Sequence, residues 1–162
     1  MTEIQYNVCV DAYADHLFRF VLKSLRDDDA AKDVVQDSFL RLWENRESVY
    51  DGKEKSYLFT IAYRLIVDHV RLRDRKGGSD DRLTRMESHG GGEYDNLSEI
   101  LSEAIDALPD LQRSLVLLRD YDGYSYQEIG EITGLSEPQV KVYIFRARTA
   151  LKQKLGALEN II

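Results

Sequence analysis

The sequence has little of what stabilises small secreted or metal-dependent proteins. Cys9 is the only cysteine among 162 residues, so no intramolecular disulfide can form and no cysteine pair can hold zinc. Only two prolines occur, and helix-forming residues fill long stretches, which predicts an all-α fold. The sequence contains no Gly-rich phosphate loop and no carboxylate pair in a definable pocket. We therefore expect no enzyme activity, no cofactor and no metal site.

Long hydrophobic runs and a targeting sequence are also missing. The first residues, MTEIQYNVCVDAY, contain neither a charged n-region nor a long apolar run. We therefore expect no signal peptide and no membrane anchor, and a reducing cytoplasm is the expected location. Hydrophobic residues make up 43% of the chain and charged residues 31%, which is typical of a soluble globular protein.

Negative charge dominates overall but is unevenly distributed. A formal net charge of −7 argues against nucleic-acid binding unless positive charge is locally concentrated. Residues 1–76 contain 13 basic and 14 acidic side chains, residues 77–96 contain 2 and 5, and residues 97–162 contain 7 and 10. The middle segment also contains five glycines and no apolar periodicity. The sequence therefore predicts two small helical domains, 1–76 and 97–162, joined by a flexible acidic linker over 77–96.

The stretch 125–155, SYQEIGEITGLSEPQVKVYIFRARTALKQKL, predicts a helix-turn-helix. Ser125 and Glu128 have the S-x-x-E spacing of a capping box, which indicates a helix start. Gly134 supplies a residue that tolerates the left-handed conformation at the helix end. A second box, S-x-x-Q, begins at Ser136 and has a proline in its first turn. Two capping boxes on either side of a glycine are typical of a helix-turn-helix.

The second helix of this stretch has two different faces at 100° per residue. The stripe predicted to pack inward comprises Val140, Ile144, Ala147 and Leu151. A plain solvated face is one interpretation of the opposite side, but such a face should not place Val142 and Phe145 at its centre. Apolar groups among Lys, Arg and Gln suit a major groove, where thymine methyls and phosphates occur together. The residues predicted to bind duplex DNA are Pro138, Gln139, Lys141, Val142, Phe145, Arg146 and Thr149.

Two further helices are predicted near the N-terminus, over Asp11–Leu25 and Ala30–Glu44. The second is expected to pack Ala31, Val35, Ser38, Phe39 and Leu42 inward. Its other side is acidic and polar but includes an exposed leucine. A solvated face and a protein-docking surface both remain open from spacing alone. The candidate docking residues are Asp33, Gln36, Asp37 and Leu40.

A long helix is predicted from Ser56 to about Lys76, with two adjacent apolar stripes that require packing on several sides. A thin polar line remains and ends among arginines. The arginines could simply complement the helix dipole, or the line could bind a nucleic-acid strand by stacking and phosphate contact. The candidate strand-binding residues are Tyr57, Thr60, Arg64, Arg71 and Arg75. Further along the chain, a helix over Leu97–Leu108 and another after Pro109 complete a four-helix C-terminal domain.

Three segments together resemble one protein family. They are AKDVVQDSFLRLWEN (31–45), YLFTIAYRLIVDHVRLRDRK (57–76) and LPDLQRSLVLLRDYDGYSYQEIGEITGLSEPQVKVYIFRARTALKQKL (108–155). In this order they resemble the bacterial extracytoplasmic-function (group IV) sigma factors. The resemblance implies a promoter-recognition subunit of bacterial RNA polymerase with two helical domains. A stand-alone helix-turn-helix regulator is the alternative, but it leaves the N-terminal helices and the linker without a role.

The resemblance also implies a role for each segment. The helix matching 30–44 would dock on the coiled coil of the polymerase β′ subunit. The helix matching 56–76 would bind the −10 element and its melted strand, and the helix-turn-helix would bind the −35 duplex. The acidic linker would run through the polymerase toward the nascent RNA. An anti-sigma factor is a further partner of many family members.

The sequence departs from the family pattern at two sites. Arg64 stands where many members have Asn, so strand contacts there cannot be carried over. Many members have V-K-S-R-L-H-R-A-R where this chain has VKVYIFRAR, so Val142, Tyr143 and Phe145 replace Ser, Arg and His. We therefore expect a −35 preference with more methyl contact and fewer hydrogen bonds.

Overall fold

The structure, a computed structural model, describes residues 1–77 and 96–159. All regular elements in these ranges are helical, which confirms the all-α prediction. Residues 78–95, most of the predicted acidic linker, lie outside the described residues. None of the described helices combines the length and apolarity needed to cross a bilayer. The α-helices are α1 Glu3–Leu25, α2 Asp28–Glu44, α3 Glu54–Arg75, α4 Asn96–Asp106, α5 Asp110–Val116, α6 Tyr126–Thr133 and α7 Glu137–Glu159.

Helix α1 begins eight residues before the predicted start at Asp11. The Thr2 hydroxyl accepts a hydrogen bond from the Gln5 backbone N–H at 3.1 Å, and the Gln5 side chain accepts one from the Thr2 N–H at 2.8 Å. This capping box fixes the true start. The first turns carry exposed Ile4 and Val8 beside buried Cys9 and partly buried Tyr6, so apolar periodicity indicates the start of α1 less clearly than the cap does.

The first three helices pack against one another and form the N-terminal half. Helix α2 begins at Asp28 because the Asp27 side chain accepts a hydrogen bond from the Ala30 N–H at 3.2 Å. Its predicted inward residues are buried, except Val35, which is partly buried. Helix α3 lies within two residues of its predicted bounds.

The C-terminal half contains α4 to α7. Pro109 precedes α5 as predicted, and a single π-helical turn, Leu117–Tyr121, extends α5 toward Gly123. Gly123 has φ +75°, so it ends this helix in a conformation that glycine adopts easily. Helix α7 crosses α5 and also contacts α4 and α6.

The two halves share one hydrophobic core. Buried residues from α1 and α3, such as Phe20 and Phe59, belong to the same cluster as Leu115 and Ile129 from the C-terminal half. Phe59 lies edge-on to Tyr124 across the contact, with ring centroids 5.5 Å apart. Helix α5 is therefore covered on two sides, by its own half and by α1.

Candidate nucleic-acid interface

The helix-turn-helix has the geometry that its capping residues predict. Ser125 donates its backbone N–H to the Glu128 side chain at 3.0 Å, and its hydroxyl accepts from the Glu128 N–H at 3.1 Å. Gly134 has φ +80°, and its N–H donates to the Gly130 carbonyl at 2.8 Å. Ser136 and Gln139 form the second box, with hydrogen bonds of 3.0 and 3.3 Å. Both helix starts and the turn are therefore fixed by local contacts.

Gly130 allows the turn before α7 to pack closely against α6, and helical periodicity alone assigns this residue no role. A Cβ atom at this position would lie 2.9 Å from the Leu135 carbonyl oxygen, closer than real Cβ contacts allow. Only glycine therefore lets the turn fold back onto α6. The available signal was a glycine inside a strongly helical pattern, where it costs about 1 kcal/mol relative to alanine and so indicates a packing role.

One face of α7 is buried and the opposite face is exposed, as predicted. Val140, Ile144 and Ala147 are buried, and Leu151 is partly buried. Phe145 is 71% exposed and Val142 is 46% exposed. The predicted DNA-binding residues around them are all exposed as well: Pro138, Gln139, Lys141, Arg146 and Thr149. The structure thus gives α7 an outward surface with an apolar centre and polar edges.

The positively charged side chains beside this surface differ in their neighbouring residues. Lys141 lies 3.7 Å from the Glu137 carboxylate, and both side chains are exposed. The Arg146 guanidinium lies over the Tyr143 ring at 6.0 Å, so Tyr143 supports Arg146 from the side. Arg148 instead pairs with Asp120, and the hydrogen bonds that it donates to that carboxylate raise the Arg148 pKa. Arg146 therefore presents its charge on the outward surface of α7, whereas the charge of Arg148 is paired with Asp120.

The predicted polar residues of α3 differ in exposure between the start and the end of the helix. Tyr57 and Thr60 are partly buried, and the Thr60 hydroxyl donates to the Ser56 carbonyl at 2.8 Å. Arg64, Arg71 and Arg75 are exposed. The candidate surface on α3 is therefore aromatic and half-buried near its start, and cationic and open toward its end.

Arg73 does not belong to the terminal arginine cluster that the sequence suggested. Its side chain is 12% exposed and donates to Asp110 of α5 at 2.9 Å. Position 73 lies 200° around the helix from both 71 and 75, so its side chain faces the C-terminal half.

The predicted docking face of α2 is accessible. Asp33 and Gln36 are exposed, Leu40 is 53% exposed, and Asp37 pairs with Arg41 at 3.6 Å. The nearby Trp43 is held by Tyr6, whose ring centroid lies 4.9 Å away, and by the Arg46 guanidinium at 4.0 Å. The structure therefore brings three candidate surfaces, on α2, α3 and α7, onto one compact body while leaving each of them open.

Two family models match most of this chain. The model of Sigma-70 region 2 matches residues 9–76, and the model of Sigma-70 region 4 matches residues 98–151. The ECF RNA polymerase sigma factor SigL of Mycobacterium tuberculosis is 30% identical over 154 residues, covering 91% of this chain and 87% of SigL. SigM of Bacillus subtilis is 29% identical over 152 residues and covers 91% of both chains.

Solved structures have the same fold. The sigma factor RpoE of Bartonella quintana, crystallised in complex with the anti-sigma factor NepR, matches with a TM-score of 0.79 and 25% identity over 94% of this chain and 97% of RpoE. CnrH in complex with the cytosolic domain of CnrY matches with a TM-score of 0.69 at 20% identity, covering 96% of this chain and 90% of CnrH. The chain belongs to the extracytoplasmic-function family of RNA polymerase sigma factors, which direct promoter-specific transcription initiation.

Proposed function

We propose that this sigma factor divides promoter recognition between α7 and α3 while α2 holds it on the polymerase. The observation that supports this most is the outward face of α7, where Phe145 and Val142 are exposed among Gln139, Lys141 and Arg146. A major groove offers thymine methyls to the two apolar side chains and phosphates or guanine edges to the cations. Helix α7 would therefore bind the −35 duplex and favour sequences rich in thymine methyls.

Helix α3 is proposed to bind the −10 element and its unpaired strand. Exposed Arg64, Arg71 and Arg75 can contact phosphates, while Tyr57 and Thr60 lie at the half-buried start of the same line. Unstacking bases costs a few kcal/mol, and stacking on side chains together with phosphate contacts can offset this cost. The mechanism is non-enzymatic, because capturing the unpaired strand makes melting favourable without any covalent step.

Helix α2 is proposed to dock on the β′ coiled coil through Asp33, Gln36, Asp37 and Leu40. An exposed leucine beside carboxylates suits a partner surface that combines basic and apolar groups. RpoE and CnrH were each solved with a protein partner, so an anti-sigma factor is a proposed partner here too. A polymerase subunit acts where the chromosome is, which makes the cytoplasm its proposed location.

The experiment first maps transcription start sites after overexpression and takes one mapped promoter fragment. Holoenzyme is reconstituted with core RNA polymerase, and anisotropy measures its binding to the −35 duplex and, separately, to the single-stranded −10 segment. Phe145→Ala should weaken duplex binding about tenfold, or about 1.4 kcal/mol, and leave strand binding unchanged. Arg71→Ala with Arg75→Ala should have the opposite pattern.

Each variant serves as the matched control for the other. Equal losses on both probes for both variants would contradict the division of labour between α7 and α3. If wild-type holoenzyme failed to initiate at the mapped promoter while the chain alone bound the duplex, a stand-alone regulator would be the better description.

A further inference from the structure

Gln139 is both an exposed residue of the outward face of α7 and part of its helix cap. Its side-chain oxygen Oε1 accepts a hydrogen bond from the Ser136 backbone N–H at 3.0 Å and a second from the Ser136 hydroxyl at 3.0 Å. The Gln139 backbone N–H donates to the Ser136 hydroxyl oxygen at 3.3 Å. These three contacts close the first turn of α7 and hold the Gln139 side chain in one orientation.

The capping contacts determine which groups of the Gln139 amide remain available. A backbone N–H can only donate, so the side-chain atom that faces the Ser136 N–H must be the amide oxygen. An amide oxygen has two acceptor sites, and Ser136 occupies both. Nε2 has no hydrogen-bond partner among the described residues, and the side chain is exposed. Gln139 therefore presents two N–H donors to its surroundings and no free acceptor.

These donors lie at one edge of the outward face of α7. At about 100° per residue, Gln139 is about 60° around the helix from Val142, and Arg146 is about 40° from it on the same side. The carboxylate of the first turn, Glu137, lies about 140° from Val142 on the other side and pairs with Lys141 at 3.7 Å. The edge that includes Gln139 and Arg146 therefore offers hydrogen-bond donors beside an apolar centre.

A side chain that can only donate discriminates among the four bases. In the major groove guanine presents two acceptors, N7 and O6, and thymine presents the acceptor O4 beside its methyl group. Cytosine presents only a donor, and adenine presents one acceptor and one donor. The bidentate contact of glutamine with adenine needs the amide oxygen to accept the adenine N6–H. Because Ser136 occupies both acceptor sites of Gln139 Oε1, that contact would require the cap of α7 to break.

We propose that Gln139 reads one base of the −35 duplex as a hydrogen-bond donor alone, selecting guanine or thymine and discriminating against adenine and cytosine. This inference rests on the proposed binding of α7 to the −35 duplex. The position of Gln139 favours a base contact, since the N-terminal residues of a recognition helix contact base edges. Val142, three residues later on the same face, is 46% exposed and offers an apolar contact to a thymine methyl. The capping box thereby sets a base preference as well as a helix start.

Exchange of the Gln139 amide for a carboxylate tests the inference. Gln139→Glu keeps an acceptor oxygen for the Ser136 N–H, and glutamate is a standard residue at this position of a capping box. The second carboxylate oxygen replaces the NH2 group, so the exposed group changes from a donor to an acceptor. Anisotropy titrations of the reconstituted holoenzyme use the mapped −35 duplex and a set of duplexes in which each base pair is changed in turn to the other three.

One base pair should respond to the exchange. Wild-type holoenzyme should bind guanine or thymine there about tenfold more tightly than adenine or cytosine, whereas Gln139→Glu should prefer cytosine, whose N4 group donates. Preferences at the other base pairs should stay unchanged. Because added negative charge weakens DNA binding as a whole, the ratio of Kd values between duplexes at one salt concentration is compared rather than Kd itself.

Glu128→Gln is the matched control, because it makes the reverse exchange in the capping box of α6. The Glu128 side chain accepts from the Ser125 N–H at 3.0 Å, so either a carboxylate or an amide oxygen can serve the cap. All Kd ratios should therefore remain at their wild-type values. If Glu128→Gln shifted the ratios as Gln139→Glu does, the effect would come from the cap and not from a base contact, and the inference would be wrong.

Two further results would overturn the inference while leaving the proposed function of α7 intact. A wild-type preference for adenine at the responding base pair would show that Gln139 leaves the cap to make the bidentate contact. Identical Kd ratios in wild type and Gln139→Glu, with weaker binding of the variant to every duplex, would make Gln139 a phosphate contact. If wild-type holoenzyme bound none of the −35 duplexes, the proposed function of α7 would fail and this inference would fail with it.

Discussion

Arg113→Met should destabilise the whole chain. The substitution keeps similar volume but removes a guanidinium that is 2% exposed and donates to four carbonyls and one carboxylate. Removing one partner from a buried charged network costs about 3–5 kcal/mol, because the remaining groups lose their hydrogen bonds without regaining water. A typical domain has only about 5–15 kcal/mol of stability, so the loss is a large part of the total.

Urea unfolding followed by circular dichroism measures the effect. At about 2–4 °C per kcal/mol for a chain of this size, Tm should also fall by about 6–20 °C. Arg146→Met is the matched control, because Arg146 is exposed on α7 and its loss should change stability by about 0.5 kcal/mol or less. Arg113→Lys should be intermediate, since it keeps the charge with three donors instead of five. A free energy of unfolding within about 1 kcal/mol of wild type for Arg113→Met would refute this account of the buried network.

Four further predictions concern the surfaces and the cap of α6. Arg146→Ala should weaken binding to the −35 duplex and reduce the salt slope by about one counterion in a fluorescence titration, and an unchanged slope would remove Arg146 from the phosphate contacts. Asp33→Ala with Gln36→Ala should weaken core-polymerase binding in a pull-down or titration, while the circular dichroism spectrum and duplex binding stay intact; loss of both would indicate misfolding instead. Ser125→Ala should destabilise the chain by about 1 kcal/mol through the lost cap of α6. Hydrogen bonds from the Ser125 backbone and side chain lower the Glu128 pKa, so this stabilisation is present above the ordinary glutamate range and disappears as the pH falls through the lowered value. The free energy of unfolding should therefore converge between wild type and Glu128→Gln on acidification, and a constant difference would contradict the assignment.

Features set by local contacts were predictable from the sequence. Both capping boxes of the helix-turn-helix, its glycine turn and the inward stripe of α7 occur where the spacing placed them, because each depends on residues within one or two turns. The start of α1 was misplaced although Thr2 and Gln5 carry the same kind of signal. Apolar periodicity favoured a later start, because the first turns of α1 combine exposed Ile4 and Val8 with buried Cys9 and partly buried Tyr6.

Features that depend on the contact between halves were not predictable. Arg113 lies 200° around α5 from Leu115, so the periodicity of an amphipathic helix places it in solvent. It is buried because α1 covers that second side of α5. Arg73 differs, because it lies seven residues after buried Ile66 on the same face of α3, so its position was predictable but its ion pair with Asp110 was not. A rule that assumes one buried face per helix fails wherever a helix is enclosed by two halves of a chain.

Gly130 has a consequence for how promoter preference can change. The turn between α6 and α7 contains Gly130 and Gly134 at its ends, and neither carries a side chain that could touch a base, whereas Val142 and Phe145 are exposed and belong to neither capping box. The apolar residues proposed to contact bases and the glycines that shape the turn therefore occupy separate positions in the sequence. Under the proposed assignment of α7 to the −35 duplex, substitutions at exposed positions of its outward face should redirect the sigma factor to new −35 sequences without disturbing the turn. A library restricted to 142, 145 and 146 should therefore yield folded variants at high frequency, whereas one that includes 130 should not.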